Sequence, residues 1–238
     1  MDTEKLRLLA FDLDGTLSQH KTHLTAEARE TLHALSEKYQ LLMVGAGTCS
    51  RIFEQMEHFP LDIIGNYGMQ EGQSRDGRLT LLRDAVLPCD RESVEKRVKL
   101  LRDRHQLYPY TGDSVEYHAS GCVTIPCLGT KARQEDKLVY DPDRQKRRAY
   151  YQEVVELFPD YIVFVGGSSS FDMAPAPYDK AYALRLYCER CGYQPSEVLY
   201  FGDDYGPGGN DESVYRSEFG FMKVDDYRQF PQLARTLL

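Results

Sequence analysis

The stretch Leu8-Leu9-Ala10-Phe11-Asp12-Leu13-Asp14-Gly15-Thr16 decides the fold. Its first four residues form an apolar run without polar alternation, the pattern of a strand buried on both faces. The run delivers two carboxylates, two residues apart, into a turn at Gly15. Side chains along a strand alternate between faces. At the strand's end, however, the turn brings Asp12 and Asp14 to one crevice, where open α/β sheets bind ligands. Two carboxylates there can divide the work of moving a phosphoryl group. One attacks phosphorus and becomes an aspartyl phosphate; the other carries a proton to the leaving oxygen and from the incoming one. Asp-x-Asp-Gly is also an ordinary strand-to-loop turn, because both residue types favour such positions, so the pair needs support from elsewhere in the chain.

Outward from that strand, apolar strands alternate with amphipathic helices. Residues 6–11 are the first strand. Thr25 is expected to cap a helix running to about Tyr39, with Ala28, Leu32 and Leu35 at helical spacing and Glu27 in its first turn. Residues 41–44 form the next strand, followed by the Gly45-Ala46-Gly47 turn and a helix through Ile52, Phe53 and Met56; residues 61–64 make a third strand. This alternation predicts a parallel sheet covered by helices on both faces. After about Leu82 the pattern changes. Asp90 is expected to cap a helix carrying Val94, Val98 and Leu101, and residues 114–117 and 122–128 read as strands around Ser120-Gly121. Asp141-Pro142 is predicted to open another helix with Val154, Val155 and Leu157 late in it, and residues 161–165 and 169–173 pair through Gly166-Gly167. Two helices against an antiparallel sheet form layers of their own. Residues 83–176 are therefore read as a domain inserted into a core made of residues 1–82 and 177–238, where strands at 198–201 and 219–224 and a terminal helix resume the parallel pattern.

Composition narrows the function classes. A chain of 238 residues, 42% hydrophobic, holds one large or two modest domains. A net charge of −8 argues against nucleic acid or an anionic membrane as the main partner, since phosphate backbones recruit Lys and Arg. No apolar run approaches membrane-spanning length. The acidic start Met1-Asp2-Thr3-Glu4-Lys5 leads directly into the first strand and does not read as a signal peptide, so a cytoplasmic location is expected. Six scattered cysteines are expected to be free thiols. Cys188-x-x-Cys191 has no second Cys or His pair at ligand spacing, so it does not read as a zinc site.

The order of four segments supplies the support. Asp12-Leu13-Asp14-Gly15-Thr16, the small-residue turn Gly45-Ala46-Gly47-Thr48 after the second strand, Lys180, and Phe201-Gly202-Asp203-Asp204 resemble the four motifs of the haloacid dehalogenase (HAD) superfamily. Within it, three segments look like the eukaryotic-type phosphomannomutases. They are Gly166-Gly167-Ser168-Ser169-Ser170-Phe171-Asp172, Tyr178-Asp179-Lys180, and the run from Phe201 through Pro207-Gly208-Gly209-Asn210-Asp211. The Pro-Gly-Gly before Asn-Asp is the most specific of these. The resemblance runs nearly end to end and weakens in the middle third. It implies an α/β fold: a Rossmann-like HAD core with helices on both faces and an inserted α/β cap of class IIB that closes over the crevice.

By this resemblance Asp12 is the nucleophile and a Mg²⁺ ligand, Asp14 the general acid/base and, through its carbonyl, a further ligand, and Asp203 the second carboxylate on the metal. Asn210 and Asp211 orient metal-bound water, and Lys180 holds the phosphate oxygens and the Asp12 carboxylate. Motif two departs from the pattern. The mutases carry Ser at the position of Gly47, so phosphate binding falls to Thr48 or to the amides of Gly45, Ala46 and Gly47. In the cap, His118, Thr130 and Lys137 stand where the mutases place arginines on the distal phosphate, and Lys21 replaces another substrate-binding arginine; Ser170 and Asp172 match residues that meet the sugar. Lys is a poor substitute for a guanidinium that grips phosphate at two points, and Thr is none. Arg144 to Arg148 read as a solvated helix face. The expectation is therefore a Mg²⁺-dependent phosphatase of a small phosphorylated metabolite, a sugar phosphate, acting through an aspartyl phosphate, with phosphomannomutase as the alternative. A homodimer through the cap is compatible with the resemblance.

Overall fold

In the computed structural model, which describes residues 3–238, the quoted stretch forms β1 (Leu8–Phe11), every residue of it buried. Met1 and Asp2, part of the start read above as carrying no signal peptide, lie outside the described residues. Chain order continues with α1 (Ala26–Ser36), β2 (Gln40–Val44), α2 (Cys49–Gln55), β3 (Asp62–Gly65), β4 (Gln70–Arg75) and β5 (Arg78–Asp84). Next come α3 (Arg91–His105), β6 (Glu116–Tyr117), β7 (Val123–Pro126), α4 (Gln134–Tyr140), α5 (Gln145–Arg148), α6 (Tyr151–Leu157), β8 (Tyr161–Phe164) and β9 (Ser170–Pro175). The last elements are α7 (Lys180–Cys191), β10 (Val198–Gly202), α8 (Glu212–Tyr215), β11 (Gly220–Lys223) and α9 (Phe230–Ala234).

The described residues divide into two compact units. The first comprises the chain up to Ala85, Asp179–Gly206 and Asp211–Leu238; the second comprises Val86–Tyr178 and Pro207–Asn210. The first unit is a seven-stranded sheet in the order β11-β10-β1-β2-β3-β4-β5. β11, β10, β1, β2 and β3 run parallel. Strand alternation sorts their side chains onto two cores. Leu9 and Phe11, Leu41 and Met43, and Leu199 and Phe201 pack with Leu32, Ile52 and Phe230 from α1, α2 and α9. Leu8 and Ala10, Leu42 and Val44, and Val198 and Tyr200 pack with Ala181, Leu184 and Tyr187 of α7. Each large side chain so buried contributes about 1.5–3 kcal/mol, which is why the apolar run of β1 admits no polar alternation.

The sheet is wider than periodicity suggests, because β4 and β5 form an antiparallel hairpin beyond β3. Its turn, Asp76-Gly77, has φ of +50° and +67°, the positive backbone angles of a tight hairpin. The Asp-Gly signal was present in the sequence; β4 is polar, and β5 carries Leu79, Leu81 and Leu82 on a mostly exposed strand between charged ends, so no long apolar run marks the pair.

In the second unit α3 lays Val94, Val98 and Leu101 on Val123, Ile125, Phe171 and Met173 of an antiparallel sheet ordered β6-β7-β9-β8. Asp90 caps α3, its side chain accepting from the Ser93 amide. The helix expected to open at Asp141-Pro142 does not start there. Asp141 is buried and accepts from the amides of Lys146 and Arg147, Arg144 takes φ of +61°, and two short helices follow in place of one. A carboxylate turned back onto amides five and six residues later fixes a turn where a regular first helical turn would run.

Candidate active site

The ends of β1 and β10, paired in parallel with Phe11 opposite Phe201, place Asp12 beside the Gly202-Asp203 turn. Carboxylate oxygens of Asp12, Asp203 and Asp211 all lie within 4.8 Å of one another. Lys180, the first residue of α7 and fully buried, donates to Asp12 Oδ1 at 2.7 Å and to Asp211 Oδ1 at 2.8 Å. Thr16 Oγ1 donates to Asp203 Oδ1 at 2.9 Å. Asp211 is held from three directions, since the Tyr200 hydroxyl donates to Oδ1 at 2.6 Å and the Asp204 amide to Oδ2 at 3.1 Å. Glycine is required at two points of close approach. A Cβ at Gly15, which has φ of +101°, would lie 2.5 Å from Asp203 Oδ2, and one at Gly202 would lie 2.7 Å from Asp211 Oδ2.

Three carboxylates facing one ammonium leave the cluster short of positive charge. Burial pushes the Asp12 carboxyl well above its ordinary value, against the pull of Lys180, and burial together with Asp211 raises Asp203 to about 6. Burial alone would depress the Lys180 ammonium; Asp12 and Asp211 outweigh it and hold the group above its usual value. All three shifts favour uptake of positive charge, and three hard oxygen donors suit a divalent cation. With Asp211 engaged by Lys180, Tyr200 and the Asp204 amide, Asp12 and Asp203 are the carboxylates best placed to ligate it. A cleft of about 300 Å³, lined by Gly15, Gln19, His20, Asp203, Asp226 and Tyr227 among others, opens beside Asp203.

Asp14 points elsewhere. Its Oδ1 accepts from the Lys21 amide and from Gln55 Nε2, both at 2.7 Å, and its Oδ2 pairs with Arg51 Nη2 at 2.8 Å. Partial burial works against ionisation, but these donors, Gln55 foremost, outweigh it and hold the carboxyl below its ordinary value. An ionised carboxylate can accept a proton from an attacking hydroxyl. Lys21 thus contributes its backbone, in a left-handed conformation with φ of +59°. In the motif-two turn the Gly45 amide is consumed by the Ile64 carbonyl. Thr48 caps α2, its hydroxyl accepting from the Arg51 amide at 3.1 Å, which gives that group a structural task. Arg51 and Gln55 escaped the sequence reading, although their i, i+4 spacing directly after the glycine turn aims both from one helix face. Thr16 and Tyr200 were also missed.

In the second unit, His118 Nε2 lies 3.0 Å from Thr124 Oγ1, which donates to Asp172 Oδ1 at 2.9 Å; Ser170 Oγ lies 3.4 Å from the same oxygen. Burial raises the Asp172 carboxyl. Thr130 and Lys137 form a separate group. Thr130 Oγ1 accepts from the Asp113 amide at 2.8 Å, the Lys137 ammonium meets the Thr130 carbonyl at 3.5 Å, and Thr130 also lines a cavity of about 710 Å³ with Arg102, Tyr108 and Tyr110. Asn210 lies in the segment grouped with this unit, whereas Asp211 belongs to the first. The solvated reading of Arg144 to Arg148 fails at Arg147. That side chain is fully buried, paired with Asp141 at 2.8 Å and bonded to the carbonyls of Gly166 and Ser170, so it braces the loop before Asp172. Arg148 donates to the Pro207 carbonyl.

Comparison with known proteins identifies the family. The profile of the eukaryotic phosphomannomutase family matches residues 90–224. The chain is 30% identical to phosphomannomutase of Saccharomyces cerevisiae over 89% of its length and 85% of the yeast protein's, and 26% identical to a probable phosphomannomutase of Caenorhabditis elegans over 89% and 87%. Among solved structures, a HAD-superfamily phosphatase of Bacteroides thetaiotaomicron superposes with a TM-score of 0.65 at 18% identity, covering 98% of this chain and 96% of its own. An IMP-nucleotidase of Plasmodium falciparum superposes with a TM-score of 0.71 at 14% identity, covering 99% and 71%. These two likenesses are of fold. The chain belongs to the eukaryotic phosphomannomutase family of the haloacid dehalogenase superfamily and is a phosphoryl-transfer enzyme.

Proposed function

We propose that this protein interconverts hexose 1-phosphate and hexose 6-phosphate, a phosphomannomutase activity, through an aspartyl phosphate on Asp12. The observation that carries the reading is the buried Asp12–Lys180–Asp211 constellation beside Asp203, in a chain whose family match extends through residues 90–224, the second unit's sheet and helices included. Asp12 attacks phosphorus as Lys180 neutralises its carboxylate and Asp211 holds Lys180 in place. The bond from phosphorus to the leaving sugar oxygen breaks as that oxygen takes a proton from Asp14; the carboxylate so formed, favoured by Gln55, the Lys21 amide and Arg51, takes the proton of the hydroxyl that later accepts the phosphoryl group. Ser170 and Asp172 meet the sugar. Mg²⁺, held by Asp12, Asp203 and the Asp14 carbonyl, would neutralise phosphoryl oxygens and lower the repulsion between two approaching anions.

Hydrolysis is the second reading: by the resemblance His118, Thr130 and Lys137 stand where the mutases place arginines on a distal phosphate, and the one observation that favours it is that the Thr130 hydroxyl is engaged by the Asp113 amide. One sample separates the two. Hexose 1-phosphate with Mg²⁺ and a catalytic amount of hexose bisphosphate is followed for hexose 6-phosphate and for inorganic phosphate together. Isomerisation is expected to exceed phosphate release; the opposite ratio selects the phosphatase.

The metal carries its own pH signature. Asp203, raised to about 6 from an ordinary 3.8, binds a proton more tightly folded than unfolded. Without metal, stability should therefore rise as pH falls through about 6. Mg²⁺ needs the ionised carboxylate, so the rise in Tm it produces should be full at pH 7.5 and largely lost at pH 5. A Mg²⁺ increment equal at both values would contradict Asp203 as ligand, and Asp203→Asn should remove it throughout.

A further inference from the structure

The motif-two turn has no side-chain hydroxyl at Gly47, and the geometry around it names a replacement. A Cβ at Gly47 would lie 2.7 Å from Arg51 Nη2, 2.8 Å from Cζ and closer still to Nε. The guanidinium therefore fills the volume that a side chain at position 47 would occupy. Thr48, the neighbouring hydroxyl, is already the N-cap of α2. Arg51 is in turn fixed by its pair with Asp14 Oδ2 at 2.8 Å, while Gln55, one turn later on the same helix, holds Asp14 Oδ1 at 2.7 Å. β1 and β2 are paired in parallel with Phe11 opposite Met43, so the turns that follow Asp12 and Val44 leave the sheet side by side.

We infer that Arg51 is the motif-two phosphate ligand of this protein: its guanidinium binds the transferring phosphoryl group from the place a side chain at position 47 would take, while one N–H anchors Asp14. The chemistry suits the role. A guanidinium carries five N–H donors in a planar fork matched to phosphate oxygens. Only Nη2 is engaged by a side-chain acceptor among the described residues, and the Arg51 side chain retains 40% exposure, leaving donors for a ligand. The assignment also accounts for the glycine, because any larger residue at position 47 displaces the guanidinium. It deepens the proposed function, resting on phosphoryl transfer at Asp12, but it does not depend on whether the acceptor is a sugar or water.

The test reads anion binding apart from turnover. Inorganic phosphate is titrated into the Mg²⁺-loaded protein by calorimetry, and hexose 1-phosphate consumption is followed in parallel. Arg51→Ala is expected to weaken phosphate binding at least tenfold while the Mg²⁺ affinity changes less than threefold, and Arg51→Lys should recover part of the loss. Gly47→Ser alone should impair phosphate binding by crowding the guanidinium, whereas the same change combined with Arg51→Ala should bind phosphate better than Arg51→Ala does. Phosphate affinity equal to wild type in Arg51→Ala, with Mg²⁺ still bound, overturns the assignment. So does equal loss of phosphate and Mg²⁺ affinity, which marks a structural role. If the wild type binds phosphate through Arg51 yet converts no hexose phosphate, the functional reading fails and the ligand assignment stands.

Discussion

Asp12→Asn is expected to lower kcat by at least about 10⁴-fold, the scale at which removal of a nucleophile is felt in an enzyme whose catalytic groups act as a unit. The amide is nearly the same size, but it cannot attack phosphorus and is a weaker ligand for a hard cation. Stability should not suffer. Asp12 is buried and its carboxyl is pushed upward by that burial, so metal-free wild type already bears the cost of a crowded negative cluster. The amide relieves that crowding and leaves Lys180 paired with Asp211. The expected result is a Tm in chelator equal to or above wild type, together with turnover at background. A variant retaining even a tenth of wild-type kcat would remove Asp12 from its role. Mass spectrometry after acid quench should find the phosphoryl group on Asp12 in the wild type and on no residue in the variant.

Lys180→Met is expected to carry the largest stability cost of any single substitution in the site. Its ammonium is fully buried between Asp12 and Asp211, at 2.7 and 2.8 Å. Removing one partner from a buried ionic set leaves the others uncompensated, a loss of about 3–5 kcal/mol. Activity should disappear as well. The pH dependence follows from the carboxylates left behind. With no cation beside it, the Asp12 carboxyl, already pushed up by burial, rises further, so the variant's deficit should be larger at pH 8 and smaller at pH 5, where protonation neutralises it. Adding Asp211→Asn should return most of the stability and none of the turnover. Urea unfolding at the two pH values measures both effects, and an unchanged midpoint at pH 8 would show that Lys180 is not what neutralises the cluster.

Much of the site was legible because its residues sit at strand ends. The apolar runs before Asp12 and Asp203 declare buried parallel strands, and parallel strands that share a sheet edge bring their C-terminal turns together whatever lies between them in sequence. Lys180 was legible only through the order of motifs, since a lone lysine after an aspartate is ordinarily a surface charge. Arg51, Gln55 and Arg147 were not legible. Each is a polar side chain on a helix, and composition alone does not say whether such a side chain reaches solvent or turns inward to a carboxylate or a row of carbonyls. The β4–β5 hairpin was missed for the complementary reason: β4 is polar, and the leucines of the mostly exposed β5 are too few and too closely flanked by charge to read as a buried strand.

The sequence by itself determined the α/β architecture, the identity of the paired carboxylates and the superfamily, because apolar periodicity, turn residues and motif order are properties of the chain read in line. Only the tertiary structure decided how charge is balanced. Which oxygen of Asp211 faces Lys180, and that Asp14 turns from the carboxylate cluster to Arg51, depend on side chains from separate elements meeting at 2.8 Å, and that Gly47 makes room for a guanidinium depends on where α2 carries Arg51. Electrostatic energy at such distances varies steeply with position and burial, and a sequence specifies those distances only once the fold has closed.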